Sequence, residues 1–439
     1  MTISAKSLTN IYNRFPDVIN LGAIFVCVIA VYWPVYSFRF LHGWDDQWAV
    51  LNSYTEDGFT GSNIYAVLTT FYGGQYAPVN QFYYMAMYYF FGYDPMYYHI
   101  GSVVIHIVNI TLVYHLIKKI TTKLVGELSS SSLQIAFLTT ILFAVSPFNV
   151  EPVAWVSAAK VILYALFYLL ALHGYLYYLD TKRPLYFYLT LLFFVISFGA
   201  KEQAVTLPLC LVLFDYLYKR PLKDKSLWLE KIPFFITAFL FGYVSIQSQG
   251  KELFEASDFY PFYQRIILSF YTFSEYFTKS VFPINLSYLY PFPFQVGDAV
   301  PLYLWLYPIA IIALVVAYYK AWQKRTWLVF GTLFFIIHLI LVINLLSLAR
   351  YSIVADRYAY IATSSIYFMG AIIFTKGLKN KQLKKWMYTA GCIYFLYFMS
   401  YARFHSFAWK NALTLKEHLK KTIRSRSDYK DWQIRNLSK

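Results

Sequence analysis

The fold of this chain is decided by long apolar segments, of which residues 18–38, VINLGAIFVCVIAVYWPVYSF, are the first. A helix of about 20 apolar residues crosses the hydrocarbon core of a bilayer, and this stretch contains no charged residue. It follows a polar segment and no small-residue cleavage site comes after it, so we predict a retained anchor rather than a signal peptide. Similar segments bring the predicted number of spans to about eleven. The predicted spans cover residues 18–38, 98–117, 134–150, 160–180, 184–200, 203–218, 232–248, 301–320, 326–346, 358–376 and 386–402.

The composition supports an all-α polytopic membrane protein. Of the 439 residues, 59% are hydrophobic and only 14% are charged, whereas a soluble domain has roughly 25% charged residues. This excludes a disordered chain and argues against a water-soluble enzyme. Aromatic residues reach 22%, and Tyr and Trp favour membrane interfaces. Cys27, Cys210 and Cys392 each lie inside an apolar run, which indicates neither a disulfide framework nor a metal motif.

The basic residues predict which loops face the cytoplasm. The net charge is +16, but Lys and Arg fall in short clusters between apolar runs, which is the positive-inside pattern rather than a nucleic-acid surface. If the clusters are cytoplasmic, loops 39–97 and 249–300 face outside, with the turns at 148–159, 200–203 and 347–357. We therefore predict a transmembrane module over residues 1–402 and a short basic tail over 403–439. The clusters are Lys6/Arg14, Lys118/Lys119/Lys123, Lys182/Arg183, Lys219/Arg220/Lys223/Lys225, Lys324/Arg325 and Lys376/Lys379/Lys381/Lys384/Lys385.

Two segments bear on this topology. Residues 262–283 contain Arg265, Glu275 and Lys279. A charge at the bilayer centre costs roughly 2.5–3.5 kcal/mol, so we predict an amphipathic helix in the outer interface. An odd number of spans places the tail outside, against its positive charge, whereas an even number would place it inside.

Asp45 and Asp46 are the leading candidates for chemistry. They lie in the first outer loop, where residues 39–48 read RFLHGWDDQW. Two adjacent carboxylates at a membrane face are costly to desolvate, which favours a role as general base or as ligands of a divalent cation. The alternative is a solvated pair that caps a helix. The sequence leaves open which of the two is the base.

More ionisable residues follow on the same predicted face. His99 and His106 are seven positions apart and so share one side of a helix. A metal pair usually has a spacing of three or four, which favours packed or pore-facing histidines. Glu151 and Lys160 are site candidates because ionisable groups near membrane depth are usually functional, although the two could simply pair with each other.

Two further outer segments carry cations. Lys201 adjoins Glu202 between two apolar runs, where a lysine suits a phosphate. The alternative is a snorkelling lysine with a capping glutamate. The next such segment contains Arg350, Asp356 and Arg357. Arginine binds phosphate through paired donors, but Asp356 and Arg357 could instead form a local ion pair.

All these groups, with Tyr358 beside Arg357, fall on one predicted face of the membrane. Carboxylates and cations together suit a reaction in which a base deprotonates an acceptor and cations hold a phosphate leaving group. The sequence has no Walker loop, dinucleotide motif, serine elbow or Cys/His metal motif. Nothing therefore indicates ATP, NAD or zinc-dependent hydrolysis.

On these residues the chain resembles the GT-C superfamily of polytopic glycosyltransferases, and within it the membrane O-mannosyltransferase-like branch that often carries tetratricopeptide repeats. The resemblance covers about residues 18–415. It departs from the family at Asn149, where a histidine is common, and at Ala159, where a basic residue is common, and no repeats follow the last span in these 439 residues. The matching motifs are Asp45-Asp46, Tyr76-x-Pro78, Asp94-Pro95 with His99 and His106, Phe143–Pro147, Val150–Trp155, Lys201–Val205, Ala355–Tyr358 and Trp409-Lys410.

The resemblance implies an inverting transfer from a polyprenyl-phosphate-linked sugar on the non-cytoplasmic face. The acceptor would be a protein Ser/Thr hydroxyl or a glycan. The base would be Asp45 or Asp46. The donor phosphate would be bound by Lys201 or Arg357, and Arg350 is a further candidate for that role. No cofactor is implied beyond the divalent cation that the aspartate pair could hold.

Other functions predict different features. A glycolipid or lipopolysaccharide acceptor would need the same chemistry. A transporter or flippase predicts charges deep in the spans and broken helices in both halves, and an inactive scaffold predicts a dispensable aspartate pair. The expected partners are membrane lipids, the lipid-linked donor and the acceptor, without nucleic acid. We expect a multi-pass protein of a bacterial inner membrane with its site facing the periplasm.

Overall fold

The computed structural model describes residues 11–124, 131–248, 260–345 and 352–424. These residues are predominantly helical and contain no β-strand, apart from one isolated bridge between Tyr72 and Gln75. The all-α prediction is therefore confirmed for the described part of the chain. Arg350 lies outside the described residues.

The helices α2 to α4 of the first loop are short, and most of the others, apart from the five-residue α8, are longer. Proline begins several of them, where its fixed φ and missing N–H cost nothing. In the chain order of the described residues they are α1 (Pro16–Tyr32), α2 (Asp46–Ala49), α3 (Ser53–Glu56), α4 (Gly61–Thr69), α5 (Pro78–Phe91), α6 (Pro95–Lys123), α7 (Ser132–Ala144), α8 (Val150–Ala154), α9 (Ala159–Thr181), α10 (Pro184–Ala200), α11 (Leu207–Leu217), α12 (Lys225–Ser248), α13 (Phe262–Val281), α14 (Leu306–Gln323), α15 (Thr326–Leu339), α16 (Thr363–Gly377), α17 (Lys381–Ser406) and α18 (Ala412–Arg424).

Short 3₁₀ helices occupy the bends where the long helices begin or end. Two of them hold predicted site residues, namely Glu202 in one and Asp356, Arg357 and Tyr358 in the other. In the described residues they are Trp33–Ser37, Pro147–Asn149, Val156–Ala158, Glu202–Thr206, Leu302–Trp305, Asp356–Ala359 and Phe407–Trp409.

Among the described residues, 5 helices are long and apolar enough to cross a membrane, and α7 with α8 makes up to 6 if that pair, bent by 50°, is one span. The helices at the other predicted spans are shorter or more polar, such as α11, which begins only at Leu207, and α15, which ends at Leu339. A multi-pass membrane protein is compatible with this finding. The number of about eleven spans stays a prediction.

The molecule has one end rich in basic residues. Lys118 pairs with Asp17 at 2.6 Å, and the Lys123 ammonium lies 4.3 Å from the Tyr218 ring centroid. These contacts bring the N-terminal part of α1, the C-terminal part of α6 and the loop after α11 together. The predicted cytoplasmic clusters at 118–123 and 219–225 therefore share one end of the helix bundle.

The predicted site loops lie at the opposite end. Helix α12 has 24 residues and is about 36 Å long at 1.5 Å per residue. It begins at the basic end, and its last residue, Ser248, lies beside Gly74 of the first loop. The two ends are thus separated by about the thickness of a bilayer.

Helices α13 and α18 match the two segments that bear on the topology. Residues 262–283 form α13, where Lys279 and Glu275 pair at 3.4 Å. Its interfacial position stays a prediction.

Helix α18 buries Leu415 and Leu419, and just before it the Lys410 carbonyl accepts a hydrogen bond from the Arg39 N–H at 3.0 Å. This part of the tail therefore lies at the site end.

Candidate active site

Asp46 is a buried part of the framework. It is 1% exposed. Its Oδ2 accepts from the Leu41 N–H at 2.8 Å, and its Oδ1 accepts from the Ser157 N–H at 3.0 Å and from the Ser157 hydroxyl. Burial raises the pKa of Asp46, against the lowering effect of these hydrogen bonds. The carboxylate therefore ties the first outer loop to the second outer turn, and both its oxygens are occupied.

Asp45 has a different environment. It is half-buried and its Oδ1 makes one long contact, 3.4 Å from Trp48 Nε1. It lines a pocket together with Tyr72, Gln75 and Lys160. The two adjacent aspartates, which the sequence could not separate, are thus one structural residue and one residue with access to a pocket.

The wall of this pocket is a tight turn over residues 72–75. Tyr72 and Gln75 exchange two backbone hydrogen bonds at 3.1 Å, and Gly73 and Gly74 have φ angles of +56° and +69°. Two consecutive positive φ angles favour glycine. A Cβ at Gly73 would also approach the Trp48 ring to 2.5 Å. Glycine at this position lets the turn close over Trp48 and carry Gln75 into the site.

Lys160 is the cation of the pocket. Its Nζ donates to Gln75 Oε1 at 2.7 Å, and it forms no ion pair within the described residues. It is also close enough to Lys201, Glu202 and Arg357 for electrostatic interaction. Three cations from three separate segments therefore converge, and Lys160 does not pair with Glu151 as the sequence allowed.

Lys201 lies behind Lys160. It is 3% exposed and pairs with Glu202 at 3.2 Å. Its ammonium is 5.1 Å from the Tyr358 ring centroid. The backbone carbonyl of Tyr358 accepts from Gln203 Nε2 at 3.2 Å. Because its side chain is buried, Lys201 is a fixed charge of the site rather than a snorkelling residue.

Arg357 pairs with Glu151, not with the neighbouring Asp356. Its N–H donates to Glu151 Oε2 at 2.8 Å and its guanidinium donates to Oε1. Glu151 is 1% exposed, and its charge, outweighing the desolvation of the guanidinium, raises the pKa of Arg357. The predicted Asp356–Arg357 pair is absent from the ion pairs of the described residues.

Asp356 instead holds its own segment. Its Oδ1 accepts from the Tyr290 hydroxyl at 2.7 Å, while Oδ2 has no hydrogen-bond partner in the described structure. Burial and the neighbouring charge of Glu151 raise the pKa of Asp356 well above its usual range. Asp356 is therefore a candidate for a protonated, structural carboxyl group.

An aromatic wall surrounds Arg357 that sequence reasoning missed. Trp155 stacks on Trp409, with centroids 5.2 Å apart and planes at 17°. Tyr288 packs edge-on to both, at 5.3 and 5.7 Å, and Trp44 lies 5.4 Å from Tyr288. The guanidinium lies 5.5 Å from the Trp155 centroid.

The wall excludes water from one side of the guanidinium, which strengthens its electrostatic interactions. Trp155 and Trp409 lie 254 positions apart in the sequence, and only tertiary contact shows that they touch. Tyr288 gave no signal beyond the aromatic content of its loop. Burial raises the pKa of Tyr288 to about 12, and Arg357 opposes that rise while Asp45 adds to it. Tyr288 is therefore within electrostatic range of both the aspartate and the arginine.

The histidines lie outside this cluster. His99 is 1% exposed and packs edge-on to Phe38 at 5.8 Å. His106 Nδ1 is 2.6 Å from the Tyr360 hydroxyl. Both are packed histidines of α6, as their spacing favoured.

A divalent cation does not fit the aspartate pair. In the described parts of the chain no group of three or more His, Cys, Asp or Glu side chains is arranged to hold a metal ion. Both oxygens of Asp46 already accept hydrogen bonds from Leu41 and Ser157. Asp46 is also buried, so a cation would have to compete with these donors for its carboxylate.

Comparison with known proteins adds no family assignment. No protein-family model matches this chain, and no curated protein matches it.

Proposed function

We propose that this protein is a membrane glycosyltransferase that moves a sugar from a polyprenyl-phosphate donor to an acceptor with inversion. The observation that carries this proposal is the shared pocket of Asp45 and Lys160, with Lys201 and Arg357 behind it. A carboxylate with access to a pocket suits a general base. A cluster of cations suits a leaving phosphate.

The cations favour a lipid-linked phosphate. Lys160 forms no ion pair within the described residues, so its charge is available to a ligand, whereas Lys201 and Arg357 are each paired with a glutamate. A lysine acts on phosphate as a point charge, and an arginine as a planar donor. We therefore assign the first phosphate contact to Lys160, with Lys201 and Arg357 supporting it. The apolar helices would keep the polyprenyl tail in the bilayer beside this site.

The chemical step follows from these positions. Asp45 takes the proton from the acceptor hydroxyl or amine, and the acceptor atom forms a bond to the anomeric carbon. The bond between that carbon and the phosphate oxygen breaks, and its electron pair leaves with the polyprenyl phosphate. The three cations stabilise the negative charge that develops on this oxygen. Attack opposite to the leaving group inverts the anomeric carbon.

The size of the pocket limits what reaches Asp45. Its volume is about 50 Å³, which is room for roughly four water molecules. A reacting hydroxyl with its immediate neighbours fits this volume, and a whole sugar does not. In the proposal, the body of the substrate lies at the pocket mouth, or the turn at 72–75 moves and releases Lys160 from Gln75.

The direct test measures release of polyprenyl phosphate by protein purified in detergent, with lipid-linked sugars as donors and membrane extract as the source of acceptor. The matched variants are Asp45→Asn and Asp57→Asn, because Asp57 is an exposed carboxylate in the same loop. We expect Asp45→Asn to lose roughly 10²–10⁴-fold in rate and Asp57→Asn to keep the wild-type rate. Equal release by wild type and Asp45→Asn would refute the proposal.

The same reaction separates the two acceptor classes. Radiolabelled sugar is followed into precipitated protein and into extracted glycolipid. Label in protein indicates a Ser/Thr acceptor, and label in lipid indicates a glycolipid or lipopolysaccharide acceptor.

A further inference from the structure

An apolar groove lies at the basic end of the molecule, away from the candidate active site. It has a volume of about 620 Å³ and is lined by side chains of α11, α12, α14 and α15. Nearly all of these side chains are aliphatic or aromatic. Examples of these lining side chains are Leu209, Val212, Phe235, Leu333 and Ile337.

The groove has the length of a lipid tail segment. Along α15 it extends from Val329 to Ile337, which is about 12 Å at 1.5 Å per residue. One leaflet contributes about 15 Å to a hydrocarbon core of about 30 Å. The groove therefore covers most of one leaflet, starting from the basic end.

The rim of the groove has the composition of a membrane interface. Trp228, Trp322 and Gln323 line it where the helices meet the loops. Trp228 Nε1 donates to the Leu222 carbonyl at 2.9 Å, which ties together two residues that line the groove. Tryptophan is enriched at the level of lipid headgroups.

Basic residues adjoin the rim residues in the sequence, with Lys223 directly after Leu222 and Lys324 and Arg325 directly after Gln323. Lys223, Lys225, Lys324 and Arg325 are exposed, and none of them forms an ion pair within the described residues. The nearby Asp224 is occupied locally, since it accepts from the Ser226 N–H at 3.0 Å and the Ser226 hydroxyl at 2.7 Å. Four exposed cations therefore stand near rim residues in the sequence, while the acidic residues nearby are engaged locally, Asp224 by Ser226 and Glu230 by Arg220.

The loop that carries part of this rim is held by buried charges. Arg220 binds Glu230 through two 2.9 Å contacts and reaches Asp215 at 2.9 Å. Lys231 pairs with Asp215 at 2.8 Å, and both side chains are fully buried. Breaking a buried pair of this kind is costly, so the loop has one fixed conformation. The rim is preorganised for a ligand.

We infer that this groove binds an anionic phospholipid. One acyl chain lies between α11, α12, α14 and α15, and the phosphate lies among Lys223, Lys225, Lys324 and Arg325. Basic pockets between membrane helices are suited to such headgroups. The lipid-linked sugar donor is a different ligand, because α12 separates this rim from the Asp45 pocket by about 36 Å.

The test is native mass spectrometry of the full chain after exchange into equimolar phosphatidylglycerol and phosphatidylcholine. The charge variant is the double substitution Lys324→Gln/Arg325→Gln. Its control is Lys384→Gln/Lys385→Gln, an exposed basic pair at the start of α17. The groove variant is Leu333→Trp, which fills the apolar space.

We expect wild type and control to retain phosphatidylglycerol over phosphatidylcholine. The charge variant should lose roughly thirtyfold of this preference, since each basic residue near the headgroup contributes about fivefold. Leu333→Trp should retain less of either lipid. Equal retention of both lipids by wild type would overturn the proposal, and so would an equal loss in the charge variant and its control. If Leu333→Trp fails to fold, the two charge variants, which alter only exposed side chains, still decide the result.

Discussion

Asp46 should be a structural residue, and substituting it tests the division of roles between the two adjacent aspartates. The sequence alone made both candidates for the base. In the structure Asp46 accepts hydrogen bonds from the backbone of Leu41 and from the backbone and hydroxyl of Ser157. Asp45 instead lines the pocket. Losing Asp46 should therefore lower stability, while losing Asp45 should lower the rate of transfer.

The magnitudes follow from the donors left unpaired. Asp46→Ala removes the acceptor of two buried backbone N–H groups, each costing about 1–3 kcal/mol, so we expect a loss of roughly 2–6 kcal/mol. Asp46→Asn keeps one acceptor oxygen and should cost about 1–3 kcal/mol. Ser157→Ala removes only the hydroxyl bond and should cost about 1 kcal/mol. Asp45→Asn should stay within about 0.5 kcal/mol of wild type, because its contact with Trp48 is long.

The assay combines thermal inactivation in detergent with the rate of polyprenyl phosphate release per folded molecule. We expect the order of stability to be Asp45→Asn, then Ser157→Ala, then Asp46→Asn, then Asp46→Ala. Folded Asp46→Asn should keep a measurable rate when Asp45→Asn has none. A stable but inactive Asp46→Asn, together with an active Asp45→Asn, would refute the reasoning and make Asp46 the base.

Three further predictions concern the cations and the buried carboxyl groups. Lys160→Gln should lower phosphate release roughly 10²-fold without loss of stability, and an unchanged rate would remove Lys160 from the site. Arg357→Gln leaves the charge of Glu151 buried and unpaired and should cost about 3–5 kcal/mol. The double variant with Glu151→Gln should recover part of that loss in thermal unfolding, whereas additive losses would contradict the pairing. Asp356 has a raised pKa in the folded state, so its contribution to stability is present at acid pH and is lost as the pH rises through that value. Relative to Asp356→Asn, wild type should therefore lose stability from pH 4 upward, as roughly bounded by the usual carboxyl range, and parallel pH profiles of the melting temperature would contradict this.

The fold class could be read from the sequence because hydropathy acts locally. An uninterrupted apolar run favours a helix where no water is available, because the helix lets every backbone N–H and C=O group form a hydrogen bond within the segment. Helix ends were less predictable. The predicted span at 203–218 begins as a 3₁₀ helix, Glu202–Thr206, and becomes α-helical only at Leu207. Polar residues followed by a proline explain this break. The mean hydropathy of the whole segment does not reveal it.

The sequence also determined which residue types would face the site. Ionisable residues in the short turns at 151, 160, 201 and 357 stood out because charges are costly near a bilayer. Their partners could not be predicted, since Glu151 lies 206 positions from Arg357 along the chain. From the sequence, Glu151 and Asp356 could each have formed an ion pair with a nearby residue. In the folded chain Glu151 instead binds Arg357, and Asp356 accepts a hydrogen bond from Tyr290.

By itself, then, the sequence determined a helical chain with apolar segments long enough to cross a membrane and with charged turns between them, because these properties depend on neighbouring residues. Only the tertiary structure separated Asp45 from Asp46, since the difference lies in distant donors at Leu41 and Ser157. It alone also brought Trp409 onto Trp155. Contacts of this kind depend on how the helices pack, and adjacent residues of identical chemistry acquire different roles when packing buries one and leaves the other at a pocket.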